Sequence, residues 1–403
     1  MSTPISRKEA VQKLLGLARP SGETAVSPMD GVGLTSTRDV AARCNVPEQA
    51  CSVRDGYAVR SRDVAEASGT TPVRLAVSGC IRAESTSPDP IEAGRAVRVL
   101  TGGPVPPGAD AVLAEEDVEE LDGAILVREP VGEGWYIRPA GGEIPAGTRI
   151  APAGGLVTPQ GAAVMTRTRV DSILVRLRPR VRLTALGSEL AKPGESLSGT
   201  ARFPADNLVL LRGLFEAAGA LVERTAVVPD DRDRLVETLS RDDLPEIMAT
   251  TGGTGNSERD FAFEAARESG FTPVFKRIDI RPGRNMFAAV RGNTLLFGLP
   301  GPPAAGHACF HAVILPVIRR LLGLPEPEPR MARFTRSINA RAGSEWLVQC
   351  ELTVHGSTLT ATPLAGKTLP PMHGLALAHG LAVLQSGQTV TPGDETEILT
   401  TLF

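Results

Sequence analysis

The chain is 403 residues long, with 42% hydrophobic residues and a net charge of −3, its 43 basic and 46 acidic side chains mixed along the whole length. Roughly two to four domains are expected, with no block of charge to hold nucleic acid or a membrane surface. The start, M-S-T-P-I-S-R-K-E-A, lacks an apolar signal core, and the greasiest helical run, residues 312–318, is cut by Pro316 far short of a bilayer span, so a cytoplasmic location is expected.

Residues 5–19 place Ala10, Val11, Leu14, Leu15 and Leu17 on a helical repeat behind Ser6, which suits an N-cap, and predict a short amphipathic helix. Short β-type runs follow to about residue 175, among them 73–77, 96–100 and 124–127, parted by Gly, Pro and Asp. This is an all-β region. Inside it, residues 52–58 read as a hairpin turn around Asp55 and Gly56, or as a rigid tip that offers the Asp55 carboxylate to a cation or a proton; spacing alone favours the turn. Residues 101–112 are a stiff proline-glycine loop with the Thr101 hydroxyl at its start, and residues 138–147 carry a lone carboxylate, Glu143, on another glycine turn. The five cysteines, Cys44, Cys51, Cys80, Cys309 and Cys350, form no C-x-x-C pair and support neither a disulfide framework nor a zinc site.

From residue 181 strands alternate with helices. Residues 181–186 predict a strand; Asp206 is expected to cap a helix whose Leu208, Leu211, Phe215 and Ala218 recur at three- and four-residue steps, with Gly219 ending it. A strand at 221–228 is followed by a helix opened by Asp230 and Asp231. Residues 247–249 then lead into A-T-T-G-G-T-G-N-S-E-R-D, with Phe261, Ala262, Ala265 and Ala266 in a helix behind it. Further strands are expected at 274–280 and 294–297, and a long final helix at 304–322. This alternation predicts a parallel, three-layer α/β domain, whose ligands sit at the carboxyl ends of the strands.

Gly252, Gly253 and Gly255 have no Cβ, so consecutive backbone N–H groups can approach an anion where a helix begins. That describes a phosphate cradle, without the Lys of a Walker loop or the spacing of a dinucleotide fingerprint; the plainer reading is a tight strand-to-helix turn. Residues 186–190, 281–284 and 299–303 are expected at the same edge. Arg281 and Arg284 bracket a Pro-Gly turn, which suits an oxyanion clamp or ordinary surface charge. Glu258 and Asp260 follow the cradle and would repel a phosphate without an intervening cation, which makes Asp260 a candidate metal ligand. His307 and His311 lie four apart, but Ala308 stands where a zincin needs glutamate, so a structural role is favoured over zinc. Past Gly323 a Pro- and Glu-rich linker leads to short strands in a small β domain. The division expected is 1–44 with 139–178, 45–138, 179–325 and 326–403, a multidomain chain of α/β plus all-β class.

Together these loops resemble the molybdopterin molybdenumtransferases, the MoeA type related to the E domain of gephyrin, nearly end to end. That family carries a D-G-Y-A turn, matched by residues 55–58, and a T-G-x-P-x-P-x-G-A-D-A-V loop, matched by residues 101–112. R-x-x-G-E-D-I, x-G-D-E-L, S-G-G-x-S-x-G-x-x-D, K-P-G-K-P and L-P-G-N-P stretches follow in the same order. The cradle itself is more similar to the T-G-G-T-G-x-x-x-R-D of MogA-type molybdopterin adenylyltransferases.

The resemblance implies a molybdopterin-binding α/β domain and insertion of molybdate into adenylylated molybdopterin, with hydrolysis of the adenylate in the presence of Mg²⁺. It implies that Thr251, Gly252, Gly253, Thr254, Gly255 and Ser257, with Thr101, Pro300 and Gly301, hold the pterin substrate. Asp260, Asp55 and Glu189 would serve the cation, Glu143 water, and Arg281 and Arg284 the molybdate or pyrophosphate oxygens. In the family the cleft lies between the α/β domain of one subunit and the β region of another, so a homodimer is implied, with a molybdopterin adenylyltransferase and molybdoenzyme maturation proteins as further partners.

Departures accompany the matches. Gly142 and Glu143 stand where the family has E-D, Ser188 replaces an Asp, Arg281 and Arg284 replace lysines, Asn285 a proline, and Pro302 the Asn of L-P-G-N-P. Two outcomes stay open: an active transferase, or a paralogue that binds molybdopterin or the finished cofactor as a carrier. Adenylyl transfer is a third, disfavoured by the flanking β domains.

Overall fold

The computed structural model of the protein describes residues 3–86, 88–197, 202–255, 261–326, 329–364 and 371–402. The chain forms two units, Ala25–Val175 on the one hand and Met1–Thr24 with Arg176–Phe403 on the other.

In the second unit the first helix is α1 (Arg7–Leu17), where Ser6 Oγ accepts from the Glu9 N–H as its spacing predicts. The α/β part runs β1 (Arg180–Leu186), α2 (Asp206–Ala217), β2 (Leu221–Val228), α3 (Arg232–Leu239), β3 (Ile247–Thr251), α4 (Ala262–Glu268), β4 (Thr272–Phe275), β5 (Phe287–Arg291), β6 (Thr294–Leu299) and α5 (Pro303–Cys309). A π-helical turn, Phe310–Ile314, joins α5 to α6 (Leu315–Leu321), so the expected long final helix is a composite. The sheet order is β2-β1-β3-β6-β5-β4. β2, β1, β3 and β6 are parallel, whereas β5 runs antiparallel to both β6 and β4. The sheet is therefore mixed and not wholly parallel. The reason is local: the expected strand at 274–280 breaks after Phe275, and the unforeseen β5 makes a hairpin with β6 around Gly292 and Asn293.

Successive residues of each strand face opposite ways, and the sheet separates its side chains accordingly. Val181, Leu183, Ala249, Leu295 and Phe297 pack against α1, α2, α5 and α6, while Leu186, Met248, Ala289 and Leu296 pack against α3 and α4. Phe215 of α2 and Phe310 of the π turn, both fully buried, meet edge to face at 5.1 Å between centroids. Burying one such ring stabilises the fold by about 2–3 kcal/mol, and this contact fixes the C-terminal end of α2 against the π turn.

Residues after 330 form a second sheet. Glu345–His355, Thr358–Pro363, Arg330–Phe334, Glu395–Thr400 and Gly380–Leu384 pair in that order, and the last pairs back on the first, which closes a ring. Ile280–Arg281 adds to this ring beside Glu345 and Trp346, so a segment expected in the α/β sheet belongs to the C-terminal one.

The unit Ala25–Val175 is built on a six-stranded sheet of order Ala111–Ala114, Gly56–Val59, Arg95–Val99, Val73–Ile81, Ala124–Val127 and Val118–Leu121. Its one long helix among the described residues, Pro159–Arg167, starts behind Thr158, whose Oγ1 accepts from Gly161 N–H. No helix among the described residues is long and apolar enough to cross a membrane.

Candidate functional site

At the carboxyl edge of the sheet, between the ends of β1 and β3, lies a cavity of about 240 Å³. Thr251 closes β3, and Gly252 follows it at φ +91° with a backbone conformation that side chains disfavour. A Cβ there would sit 2.6 Å from the Leu186 carbonyl oxygen, so the glycine lets the two strand ends converge. Gly252 N–H donates to Leu299 O at 3.0 Å, which binds the loop to the end of β6 as well.

Glu189, Thr251, Gly252, Gly253 and Gly301, all expected in the site, line this cavity together. The Glu189 backbone carbonyl accepts from Phe203 N–H at 2.8 Å, and its carboxylate has no hydrogen-bond or ion-pair partner among the described residues. Pro300 accepts from Thr251 Oγ1 at 3.3 Å. Thr254 and Gly255 are half-buried just beyond the cavity wall. Ser257, Glu258 and Asp260 lie outside the described residues. The helix behind the loop is only seven residues long and begins at Ala262, after the Phe261 cap position. The loop's own N–H groups, not a long helix dipole, must therefore serve any anion.

Three lining residues escaped the sequence reading as site residues. Asp206, expected as a helix cap, is instead the first residue of α2, and its Oδ1 accepts only from the next N–H, Asn207, at 2.9 Å. Asn207 reaches both Thr251 and Gly301. Asp230 exchanges hydrogen bonds with Ser188, accepting from its N–H at 3.3 Å while its own N–H donates to Ser188 Oγ at 3.0 Å. Ser188, which replaces an acid, thus anchors the Glu189 loop to the start of α3. The signal available in the sequence was position: all three sit one or two residues past a strand or at a helix start facing one sheet edge.

Arg281 and Arg284 are exposed on their turn and have no carboxylate partner among the described residues. They do not line the cavity. The turn leads into Phe287, which pairs with Gly298 near the end of β6, so it stands at the same edge. β3 and β5 are two strand spacings apart, about 10 Å. Gly253 and Arg284 therefore share an edge but not a pocket. Beneath the turn lies Cys309, whose thiol burial pushes up to about 12, an inert packing group.

In the other unit Asp55 is not a hairpin turn residue. The strands flanking it, Cys51–Ser52 and Gly56–Val59, take different partners, and Gly56 is needed because a Cβ would collide with the Leu113 carbonyl. Asp55 Oδ1 accepts from Thr101 N–H at 2.6 Å and from its hydroxyl at 2.7 Å. Those two donors, the N–H first, hold the exposed carboxyl below the usual range. Glu143 is exposed and ion-paired with Arg138.

His307 and His311 are buried on α5 and the π turn, with ring centroids 4.6 Å apart. Burial lowers them to about 4 and about 3, His311 also through its neighbour, so both are neutral. Among the described residues no three His, Cys, Asp or Glu side chains converge to hold a metal ion alone.

Residues 5–168 match the model of the MoeA N-terminal region (domain I and II), and residues 184–320 that of the "Probable molybdopterin binding domain". A molybdopterin molybdenumtransferase of Staphylococcus aureus is 28% identical over 352 residues, covering 84% of each chain. Its namesake in Staphylococcus epidermidis is 26% identical over 388 residues, 96% of this chain and 92% of the other. Two solved structures of the molybdopterin biosynthesis MoeA protein of Pyrococcus horikoshii share the fold. One has a TM-score of 0.87 at 23% identity over the whole of both chains; the other has 0.77 at 22%, covering 99% of this chain and all of that one.

Proposed function

The chain belongs to the MoeA-type molybdopterin molybdenumtransferase family, whose place is in molybdenum cofactor biosynthesis, and we propose that it inserts molybdate into adenylylated molybdopterin with release of AMP. The observation that carries this reading is the cavity in which Gly252, Gly253 and Gly301 meet the carboxylates of Glu189, Asp206 and Asp230. The Gly253 and Gly301 N–H groups donate to the pterin phosphate, while Gly252 N–H is held by Leu299 O. Arg281 and Arg284 at the same edge orient molybdate oxygens through paired guanidinium donors. For release of AMP, water adds to the adenylyl phosphorus and gives its proton to Glu189, while the bond to the pterin phosphate oxygen breaks and that phosphate leaves.

The donors present suit Mg²⁺. Carboxylates line the cavity without forming a closed cage, and this cation binds through one or two carboxylates together with substrate phosphates. Asp206 and Asp230 would hold it together with the substrate phosphates, which leaves Glu189 as the base, and Asp260 is the family's further acidic position. When bound, it neutralises phosphate charge. Thr101 fixes Asp55, and Glu143 serves water in this reading only after leaving Arg138.

That ion pair, and Pro302 in place of an amide ahead of α5, favour the second reading, a carrier that binds molybdopterin without inserting metal. One experiment separates the two. Purified protein supplied with adenylylated molybdopterin, molybdate and Mg²⁺ releases AMP stoichiometrically if it is the transferase; binding without AMP selects the carrier. A homodimer, and hand-over from an adenylyltransferase to molybdoenzyme maturation proteins, complete the proposal; sedimentation equilibrium at twice the chain mass supports the first.

A further inference from the structure

Asn207 is the second residue of α2 and is 8% exposed. Its Nδ2 donates to Thr251 Oγ1 at 2.9 Å and to Gly301 O at 2.5 Å. Thr251 Oγ1 in turn donates to Pro300 O at 3.3 Å. One amide nitrogen thus joins three segments that arrive at the sheet edge from distant parts of the chain: the start of α2, the end of β3 and the loop after β6. Both segments it ties belong to the cavity wall.

Its other end is the informative part. Asn207 Oδ1 is buried and has no hydrogen-bond partner among the described residues. A purely structural cross-link is expected to satisfy both ends of a buried amide, because an unpaired buried oxygen is destabilising. Aspartate has the same shape but would set a carboxylate against the Gly301 carbonyl oxygen, and an aliphatic side chain would leave that carbonyl unpaired. Only the amide offers two donors on one short, uncharged arm.

From this we infer that Asn207 is a positioning residue: it sets the distance between the glycine loop and the loop at Gly301, and through it the grip on the substrate phosphate. The inference rests on the phosphate reading of the cavity given above. It assigns Asn207 no contact with the reacting atoms.

The test compares binding of molybdopterin with binding of molybdopterin stripped of its phosphate by alkaline phosphatase, for the native protein and for Asn207→Ala and Thr251→Val, which cut the same hydrogen bond from opposite ends. Each variant is expected to weaken phosphorylated ligand about 10-fold and dephosphorylated ligand less than about 2-fold. The effects of the double variant should fall well short of the product of the singles. In the AMP-release assay Asn207→Ala should raise KM for adenylylated molybdopterin more than it lowers kcat. Equal loss for both ligands, or a change in melting temperature with the phosphate preference intact, overturns the role of Asn207 while leaving the cavity assignment standing. A native protein with no preference for the phosphorylated form overturns the cavity assignment, and the inference with it. Should Asn207→Ala fail to fold, Asn207→Asp, which keeps the shape and loses the donors, decides the question by the same ratio.

Discussion

The candidate acidic side chains of the two units differ in their partners. In Ala25–Val175, Asp55 is held by Thr101, Glu143 by Arg138, Asp110 by Ser61, and Glu115 and Glu116 by Arg98 and Arg54. At the sheet edge of the other unit, among the described residues, the Glu189 carboxylate has no partner, the Asp206 carboxylate accepts only from the next N–H, and Arg281 and Arg284 have no carboxylate partner. Each acid in the first group already has a donor or a cation. The second leaves charge unanswered at one edge of one sheet, where an anion and a cation can complete it, which is why the proposed ligand chemistry is placed there and Asp55 is proposed as a pre-set tip.

The largest expected effect that tests this contrast is Gly252→Ala. Its φ of +91° and the close Leu186 carbonyl predict a loss of about 3 kcal/mol, measured by urea unfolding, together with loss of molybdopterin binding; an unchanged midpoint would show the loop to be slack. Glu189→Gln should lower AMP release about 100-fold with little change in the urea midpoint. If activity instead survives while stability falls, the unpartnered carboxylate is structural and the contrast between the units fails.

A third test asks whether a missing partner by itself marks a site. Both ring nitrogens of His311 and Nδ1 of His307 are buried and have no hydrogen-bond partner among the described residues, yet neither residue lines the cavity. Their pKa values in the folded chain, about 3 and about 4, lie below the ordinary 6.5. As pH falls, protons therefore bind the unfolded chain first: the contribution is full above about 6.5 and is lost progressively toward pH 4. His311→Leu should flatten this slope in unfolding curves and leave AMP release at pH 7.5 unaltered. Smaller again, Arg284→Ala should raise the molybdate concentration for half-maximal rate about 10-fold while pterin binding holds. Thr101→Val, which removes one of two donors to Asp55, should cost only a few-fold in rate, with the Asp55 carboxyl moving back toward its ordinary range by NMR titration.

Much of this was visible in the residues. The small residues at 252–255, the three- and four-residue steps of α2, and the charged turn at 281–284 each have a local cause that a chain carries in its own order. What stayed hidden depends on partners far away in sequence. β5 reads as a loop tail until Phe287 meets Gly298, and Ile280–Arg281 looks like the end of one strand until Glu345 and Trp346 claim it for another sheet. Asp55 and Gly56 mimic a hairpin because the steric demand on Gly56 comes from Leu113, more than fifty positions on. Asn207 looked like any residue near a helix start, since its two acceptors arrive from segments 44 and 94 residues further along.

The closed C-terminal ring has a bearing on how the protein avoids open-ended strand pairing with further copies of itself. A ring presents no loose rim of backbone donors and acceptors, so the long outer strand Leu221–Val228 is the largest such rim in the second unit. Glu223 and Arg224 stand in its middle, and Glu223 is already engaged by Arg180 and Arg182. A neighbour approaching to zip strand onto strand meets fixed charge there. Replacing those two residues with valines is the change that should turn a well-behaved solution into one that clumps.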